Sequence, residues 1–253
     1  MERQIVALLC RTSDRGPQAA AGTGELAELL GARVVGSAGE PRAADYADDL
    51  RDCRGCLLEA GGQVDDALEA GRVPILLAGE CSVCVSTLPL VVRRLPDVRV
   101  LWLDAHPDFN TPATTVSGYL AGMGLAGACG LWDTGFGACL DPARVIMHGV
   151  RDVDGGERVA LDTSGVYRLE DPAQLAGLEL FVHVDLDVID PDFHPAKFPS
   201  PGGLSPPALR DFLAAAAAVA TIVGAEITAA APGYAKVAAG AIAPLLAAAV
   251  DDE

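Results

Sequence analysis

Residues 98–110 have the sequence Val-Arg-Val-Leu-Trp-Leu-Asp104-Ala-His106-Pro-Asp108-Phe-Asn110. The apolar run at the start is typical of a buried strand, and the acids and the histidine follow where that strand ends. In an extended chain alternate side chains face the same side. We therefore expect Asp104, His106 and Asp108 to point in one direction.

A second segment repeats this pattern. The apolar run 180–184 leads directly into Asp185-Leu-Asp187-Val-Ile-Asp190-Pro191. Asp185 and Asp187 also share one side of an extended chain. Ligands of parallel sheets bind beyond the carboxyl ends of the strands, and both acidic segments fall at such ends.

Four carboxylates and one imidazole in a small volume would repel one another unless cations lay between them. Oxygen-rich donors with a nitrogen ligand suit a hard or borderline divalent ion, and Mn²⁺ fits them best. The alternative, a set of surface acids in loops, is disfavoured because these acids interrupt strongly apolar strands. The two segments predict a two-metal hydrolase.

Apolar runs alternate with helical patterns along the whole chain, which predicts an α/β fold with three α/β/α layers and a mostly parallel central sheet. We expect one domain over residues 1–253. The predicted strands are 5–9, 34–35, 55–58, 74–78, 98–103, 145–150, 180–184 and 222–227. The predicted helices are 24–30, 43–51, 64–70, 83–95, 118–126, 206–219 and 233–250.

The composition excludes several classes of protein. With 51% hydrophobic and 21% charged residues, the chain is globular and not disordered. A net charge of −17 argues against nucleic acid or an anionic membrane as a partner. No membrane-length apolar stretch or signal-peptide pattern appears, so we expect a cytoplasmic protein. The odd number of cysteines, seven, predicts reduced thiols and no disulfide framework.

The two acidic segments together resemble the arginase, or ureohydrolase, family, whose pattern is Asp-x-His-x-Asp followed by Asp-x-Asp-x-x-Asp-Pro. The likeness runs from about residue 76 to residue 231 and is dense over 104–120. It implies that Asp104 and Asp185 bridge two Mn²⁺ or other divalent transition-metal ions, with His106 and Asp187 on one ion and Asp108 on the other. A water held between the ions would then lose a proton and attack a guanidino carbon, as in an amidinohydrolase.

The resemblance also implies a small guanidino amino acid as substrate. Asn110, Thr115 and Ser117 match positions that hold the α-carboxylate. Asp154 and Glu157 match the acids that hold the α-ammonium group, and Glu226 matches the carboxylate that pairs with the guanidinium. Asp108 and Glu226 are thereby the candidate catalytic residues. Turn, helix-cap or structural ion-pair roles are the alternatives for Ser117, Asp154, Glu157 and Glu226.

Two departures from the family pattern bear on the substrate. Cys81 stands where the family carries a metal-binding histidine. Its sulfur could bind the metal, remain a thiol that leaves a coordination position open, or be a small buried side chain. Ala121 stands where arginases carry a histidine thought to shuttle protons.

L-arginine, which is strongly basic, needs both imidazoles most. The chain therefore resembles the arginase-like hydrolases of Nω-hydroxy-L-arginine, which release hydroxyurea and L-ornithine in antibiotic biosynthesis. Hydrolysis of L-arginine or another guanidino acid is the alternative, and an inactive amino-acid-binding relative is a second one.

Several other residues allow more than one interpretation of their role. His183 stands where the family usually has serine, and it could hydrogen-bond a ligand carboxylate or be an ordinary core histidine. His194 could line the entrance. Cys53-x-x-Cys56 and Cys81-x-x-Cys84 could form a zinc or redox site. Because the chain ends soon after its last predicted helix, we expect a monomer or a small homo-oligomer.

Overall fold

One eight-stranded sheet forms the centre of the molecule, in the computed structural model that describes residues 2–137 and 140–247. Its strand order is β2-β1-β3-β8-β7-β4-β5-β6, and every paired strand runs parallel to its neighbour. The strands are β1 (Arg3–Leu8), β2 (Arg33–Val35), β3 (Val73–Leu77), β4 (Arg99–Leu103), β5 (Val145–His148), β6 (Tyr167–Arg168), β7 (Glu179–Asp185) and β8 (Thr221–Thr228).

Helices cover both faces of this sheet. They are α1 (Gln18–Leu30), α2 (Tyr46–Asp52), α3 (Arg54–Glu69), α4 (Cys84–Arg94), α5 (Gly124–Ala128), α6 (Gly155–Thr163), α7 (Pro206–Val219) and α8 (Ala235–Leu246). Alternate residues of β4 divide between two cores: Leu101 and Leu103 face α1, α7 and α8, whereas Val100 and Trp102 face α3 to α6. The predicted three-layer α/β architecture with a parallel sheet is confirmed.

The sequence prediction was wrong at residues 55–58, which belong to α3 and not to a strand. The buried residues of α3 include Leu57, Ala60, Gly61 and Val64, which recur at helical spacing. A Cβ at Gly61 would lie 2.5 Å from the Leu90 side chain, so this glycine lets α3 approach α4 closely.

Three further helix assignments differ from the prediction. The predicted helix 118–126 is reduced to a 3₁₀ turn at Ala121–Met123 followed by the short α5. The helix α6 and the two-residue strand β6 were not predicted. The predicted helix 233–250 corresponds to α8, and its last residues, 248–250, lie outside the described part of the chain.

The expectation that every cysteine is a free thiol was also wrong. Cys10, after β1, and Cys56, in α3, form a disulfide with their Cα atoms 6.0 Å apart. This bond removes Cys56 from any zinc site or Cys-x-x-Cys redox pair with Cys53. Cys53 instead accepts a hydrogen bond from the Arg11 guanidinium at 2.9 Å. Cys139 lies outside the described residues.

Within residues 2–137 and 140–247, no helix combines the length and apolar character that crossing a bilayer requires.

Candidate metal centre

The candidate site lies at the carboxyl ends of the four central strands, β3, β8, β7 and β4. Asp104 directly follows β4, and Asp185 is the last residue of β7. Cys81 begins a 3₁₀ turn after β3, and Thr228 ends β8. Since parallel strands bring their carboxyl ends to one edge, residues far apart in sequence meet here.

A cavity of about 260 Å³ opens at this edge. Every predicted metal ligand lines it, as do four predicted substrate-binding residues (Asn110, Ser117, Asp154 and Glu157). The predicted ligands on its wall are Cys81, Asp104, His106, Asp108, Asp185 and Asp187. Of these, only His106 is more than marginally exposed.

Two groups of potential ligand atoms share one carboxylate. Cys81, Asp104 and His183 each bring one ligand atom within 4.8 Å of the others, and Asp104, His106 and Asp187 do the same. In the second group, His106 Nδ1 lies 3.0 Å from Asp187 Oδ2 and 3.5 Å from Asp104 Oδ1. A carboxylate that belongs to both groups is suited to bridging two cations.

Backbone hydrogen bonds fix the three strand-end acids. Asp104 Oδ1 accepts the His106 N–H at 2.7 Å, and Asp185 Oδ1 accepts the Asp187 N–H at 2.7 Å. Asp187 Oδ1 accepts the Ala105 N–H at 3.0 Å, which connects the end of β7 to the end of β4. Each of these three carboxylates is thus oriented by a backbone N–H group that donates to its Oδ1 atom.

Asp108 adopts a strained backbone conformation. Its φ of 48° lies in the left-handed region, which a residue with a Cβ seldom occupies. The Asp108 carbonyl accepts the Ala126 N–H, and the Glu157 carboxylate accepts the N–H of the next residue, Phe109, at 2.9 Å. The surrounding structure therefore holds Asp108 in a conformation that turns this acid towards the cavity.

The charges of the site oppose one another in the absence of a cation. Burial, followed by the neighbouring carboxylates, raises the pKa values of Asp185 and Asp187 to about 6 and that of Asp108 well above its usual range. Burial disfavours the His106 cation, yet its hydrogen bonds to Asp104 and Asp187 outweigh burial and raise the pKa of His106 to about 12. Protons therefore occupy positions for which cations would compete.

Cys81 is buried and contacts Asp185 directly. Its sulfur donates to Asp185 Oδ2 at 2.8 Å and lies 3.1 Å from Thr228 Oγ1. Burial and the surrounding acids raise the pKa of the Cys81 thiol well above its usual value. The group is therefore a thiol without a metal, and a coordinated cation would deprotonate it.

The donor set fits two divalent transition-metal ions. Four buried carboxylates (those of Asp104, Asp108, Asp185 and Asp187), the imidazole of His106 and the Cys81 sulfur converge on one cavity, where their mutual repulsion calls for positive charge. The buried Nε2 of His183, beside them, has no hydrogen-bond partner within residues 2–137 and 140–247. Oxygen, nitrogen and sulfur donors together suit Mn²⁺, Fe²⁺, Co²⁺ or Zn²⁺.

The predicted substrate residues divide into those that line the cavity and those that do not. Asn110, Ser117 and Asp154 line the cavity, and Asn110 Nδ2 donates to Asp154 Oδ2 at 3.2 Å. Glu157 also borders the cavity, but its carboxylate accepts the backbone N–H groups of Phe109 and Asp154. Thr115 is not among the described residues on the wall; its hydroxyl accepts the Gly118 N–H within a turn.

Glu226 lies behind the wall of the cavity and is completely buried. Its Oε2 accepts the Thr87 hydroxyl at 2.6 Å, and its Oε1 lies 2.7 Å from His183 Nδ1. This arrangement differs from the predicted pairing with a guanidinium group, because both carboxylate oxygens already have protein partners. His194 is likewise buried and accepts the Ala231 N–H, so it does not line the entrance.

Sequence reasoning missed several residues of the cavity. Glu80, Tyr119, Asp152 and Phe198 line it, and the Lys197 ammonium contacts Glu80 at 3.0 Å and the Tyr119 hydroxyl at 2.8 Å. Burial raises the pKa of Glu80 to about 7 despite this lysine. Glu80 could have been found, since it directly precedes Cys81, whereas the loop bearing Lys197 carries no recognisable pattern.

Comparisons with known proteins agree with this geometry. The Arginase family model matches residues 41–250. The Nω-hydroxy-L-arginine amidinohydrolase of Streptomyces lavendulae is 39% identical over 186 residues, which cover 68% of this chain and 67% of that protein. Human Arginase-1 is 31% identical over 58% of this chain, which spans only 54% of the human protein.

Solved structures show the same fold. The Entamoeba histolytica arginase in complex with L-ornithine superposes with a TM-score of 0.84 at 20% identity, over 98% of each chain. The Bacillus subtilis arginase gives a TM-score of 0.78 at 21% identity, over 99% of this chain and 100% of that one. Since the family model covers most of the sequence and the fold agrees throughout, this protein belongs to the arginase family.

Proposed function

We propose that this protein is a dinuclear-metal amidinohydrolase that converts Nω-hydroxy-L-arginine to hydroxyurea and L-ornithine. The observation that carries the proposal is the pair of ligand groups that share Asp104 within one acid-lined cavity. The similarity to the Streptomyces amidinohydrolase supports the choice of substrate. Mn²⁺ is the proposed metal.

Six side chains would hold the ions. Asp104 and Asp185 would bridge them, His106 and Asp187 would complete one ion, and Asp108 and Cys81 would complete the other. When bound, the ions would supply Lewis-acid polarisation and a hydroxide available near neutral pH. In the reaction a C–O bond forms at the guanidino carbon, the bond from that carbon to the ornithine nitrogen breaks, and a proton passes to the leaving nitrogen.

The chain's own residues orient the amino-acid end of the substrate. Asn110 and Ser117 offer amide and hydroxyl groups to an α-carboxylate, and Asp154 offers a carboxylate to an α-ammonium group. Glu157 and Thr115 support this wall by fixing backbone N–H groups. A cavity wall that recognises both the α-carboxylate and the α-ammonium group favours an α-amino acid over a simple guanidino-alkylamine.

The lack of a proton-transferring side chain at residue 121 favours the hydroxylated substrate. Ala121 lines the cavity and can neither donate nor accept a proton through its side chain. An N-hydroxyguanidine is less basic than a guanidine, so it requires less assistance from a protein acid or base. A thiolate in place of an imidazole donates more charge and makes its ion a weaker Lewis acid, which again disfavours L-arginine.

The test is a substrate comparison on the Mn²⁺-loaded protein. We expect stoichiometric L-ornithine and hydroxyurea from Nω-hydroxy-L-arginine, and at least tenfold lower kcat/KM for L-arginine. Equal or higher activity on L-arginine would overturn the substrate proposal. Failure to retain Mn²⁺ together with the absence of any hydrolysis would favour an amino-acid-binding protein. Cys81→His is the companion variant, and it should raise activity on L-arginine relative to hydroxyarginine.

A further inference from the structure

His183 is a completely buried histidine in the central strand β7, two residues before Asp185. Its ring stacks on the indole of Trp102 in β4, with the ring centroids 3.6 Å apart and the planes 3° apart. The neighbouring strands thus hold the imidazole in one plane. Because alternate residues of a strand share a side, His183 and Asp185 point to the same face of the sheet.

Glu226 fixes how this imidazole presents its two nitrogens. Glu226 Oε1 lies 2.7 Å from His183 Nδ1, and Thr87 holds the other oxygen of the carboxylate. A carboxylate accepts hydrogen bonds and does not donate them, so Nδ1 is the nitrogen that donates to Glu226. In the neutral ring the lone pair is then on Nε2. A carboxylate behind a histidine in this manner is how proteins orient metal-binding imidazoles.

Among the residues that the structure describes, the buried Nε2 atom has no hydrogen-bond partner. Buried polar atoms are nearly always paired, so an ordinary core histidine leaves this nitrogen unexplained. A ring nitrogen of His183 lies within 4.8 Å of the Cys81 sulfur and an Asp104 carboxylate oxygen. The imidazole therefore lies close to a thiol and an acid, both of which bind metals.

We propose that His183 Nε2 is a ligand of the metal ion beside Cys81 and Asp104, and that Glu226 positions it. The inference rests on the proposed dinuclear site and adds a donor to it. The imidazole nitrogen that the site loses at Cys81, after β3, is then supplied from β7. Glu226 is then a positioning residue, which acts on the ion through His183 and does not contact the substrate.

The test counts the nitrogen ligands of bound Mn²⁺ by electron spin-echo spectroscopy on protein labelled with ¹⁵N at histidine. In the unsubstituted protein we expect two histidine couplings, from His106 and His183. His183→Ser should leave one coupling and raise the Kd of one of the two ions by at least 10- to 100-fold, as measured by calorimetry. Serine is the residue usual in the family at this position, so this variant is expected to fold.

Two further variants separate coordination from packing. His148→Ser removes another stacked histidine at a strand end, whose ring centroid lies 4.2 Å from that of Phe212. This variant should change neither the couplings nor the Kd. Glu226→Gln should keep both couplings and still raise the Kd of one ion. Two bound ions with a single histidine coupling in the unsubstituted protein would overturn the role of His183 and leave the proposed function standing. A protein that binds no Mn²⁺ would overturn both.

Discussion

Asp187→Asn tests whether the acids at the carboxyl ends of the strands are held together against their own repulsion. Burial, followed by the Asp104 charge, raises the pKa of Asp187 from 3.8 to about 6. The folded protein therefore binds this proton more tightly than the unfolded chain does. The contribution of Asp187 to stability is complete below pH 3.8 and is lost as the pH rises through about 6.

The magnitude follows from the size of the shift. A difference of about two pKa units corresponds to about 3 kcal/mol between the protonated and charged forms. Asparagine resembles the protonated acid at every pH. We therefore expect Asp187→Asn to gain about 3 kcal/mol in the free energy of unfolding, relative to the metal-free unsubstituted protein, over the whole titration. About 1.4 kcal/mol of this gain falls between pH 5 and pH 8.

The measurement is urea unfolding in the presence of a chelator between pH 5 and pH 8. Asp97→Asn, which changes an exposed acid, is the matched control and should show no such trend. Mn²⁺ should then reverse the order. At a hundred times its Kd it stabilises the unsubstituted protein by about 2.7 kcal/mol, and it should stabilise the variant less. A difference between variant and unsubstituted protein that is flat or falling with pH would refute this account of the site.

Three other perturbations test the fold around the site. Gly22→Ala should destabilise the protein by more than about 2 kcal/mol, because its Cβ would lie 1.8 Å from a backbone carbonyl oxygen after β8. Gly24→Ala in the same helix is the control, because its Cβ would have no described neighbouring atom within 4 Å. It should stabilise the protein by up to about 1 kcal/mol, as thermal unfolding can check. Cys10→Ser should cost about 3 to 4 kcal/mol in urea unfolding, since the bond to Cys56 closes a span of 46 residues, and a reductant should cost the unsubstituted protein the same amount. Arg151→Lys should lower the melting temperature by several degrees, because the guanidinium donates to four backbone carbonyls and an ammonium cannot reach all of them; an unchanged melting temperature would contradict this.

The fold and the acidic centre were predictable because they depend on strong, repeated patterns. Apolar runs that end in acids mark strand ends, and parallel strands bring those ends together whatever their separation in sequence. The predicted ligands from Cys81 to Asp187 therefore meet in one cavity.

What was missed depends on contacts between distant segments. The stretch 55–58 has short apolar content that fits either a helix or a strand, and only its packing against α4 decides for the helix. Glu226 carries a charge that suggests a cationic ligand, yet its partners, Thr87 and His183, come from other elements. The left-handed backbone of Asp108 is likewise imposed by neighbours that no local pattern announces.

Glu157 links the start of α6 to the loop that carries Asp108. One oxygen of its carboxylate accepts a backbone N–H at the beginning of the helix, and the other accepts that of Phe109. If the first turn of α6 frays, the Phe109 N–H loses its hydrogen bond to Glu157. The strained backbone of Asp108 can then relax. Amide hydrogen exchange at this turn should therefore slow when ions bind, even though the helix supplies no ligand to them.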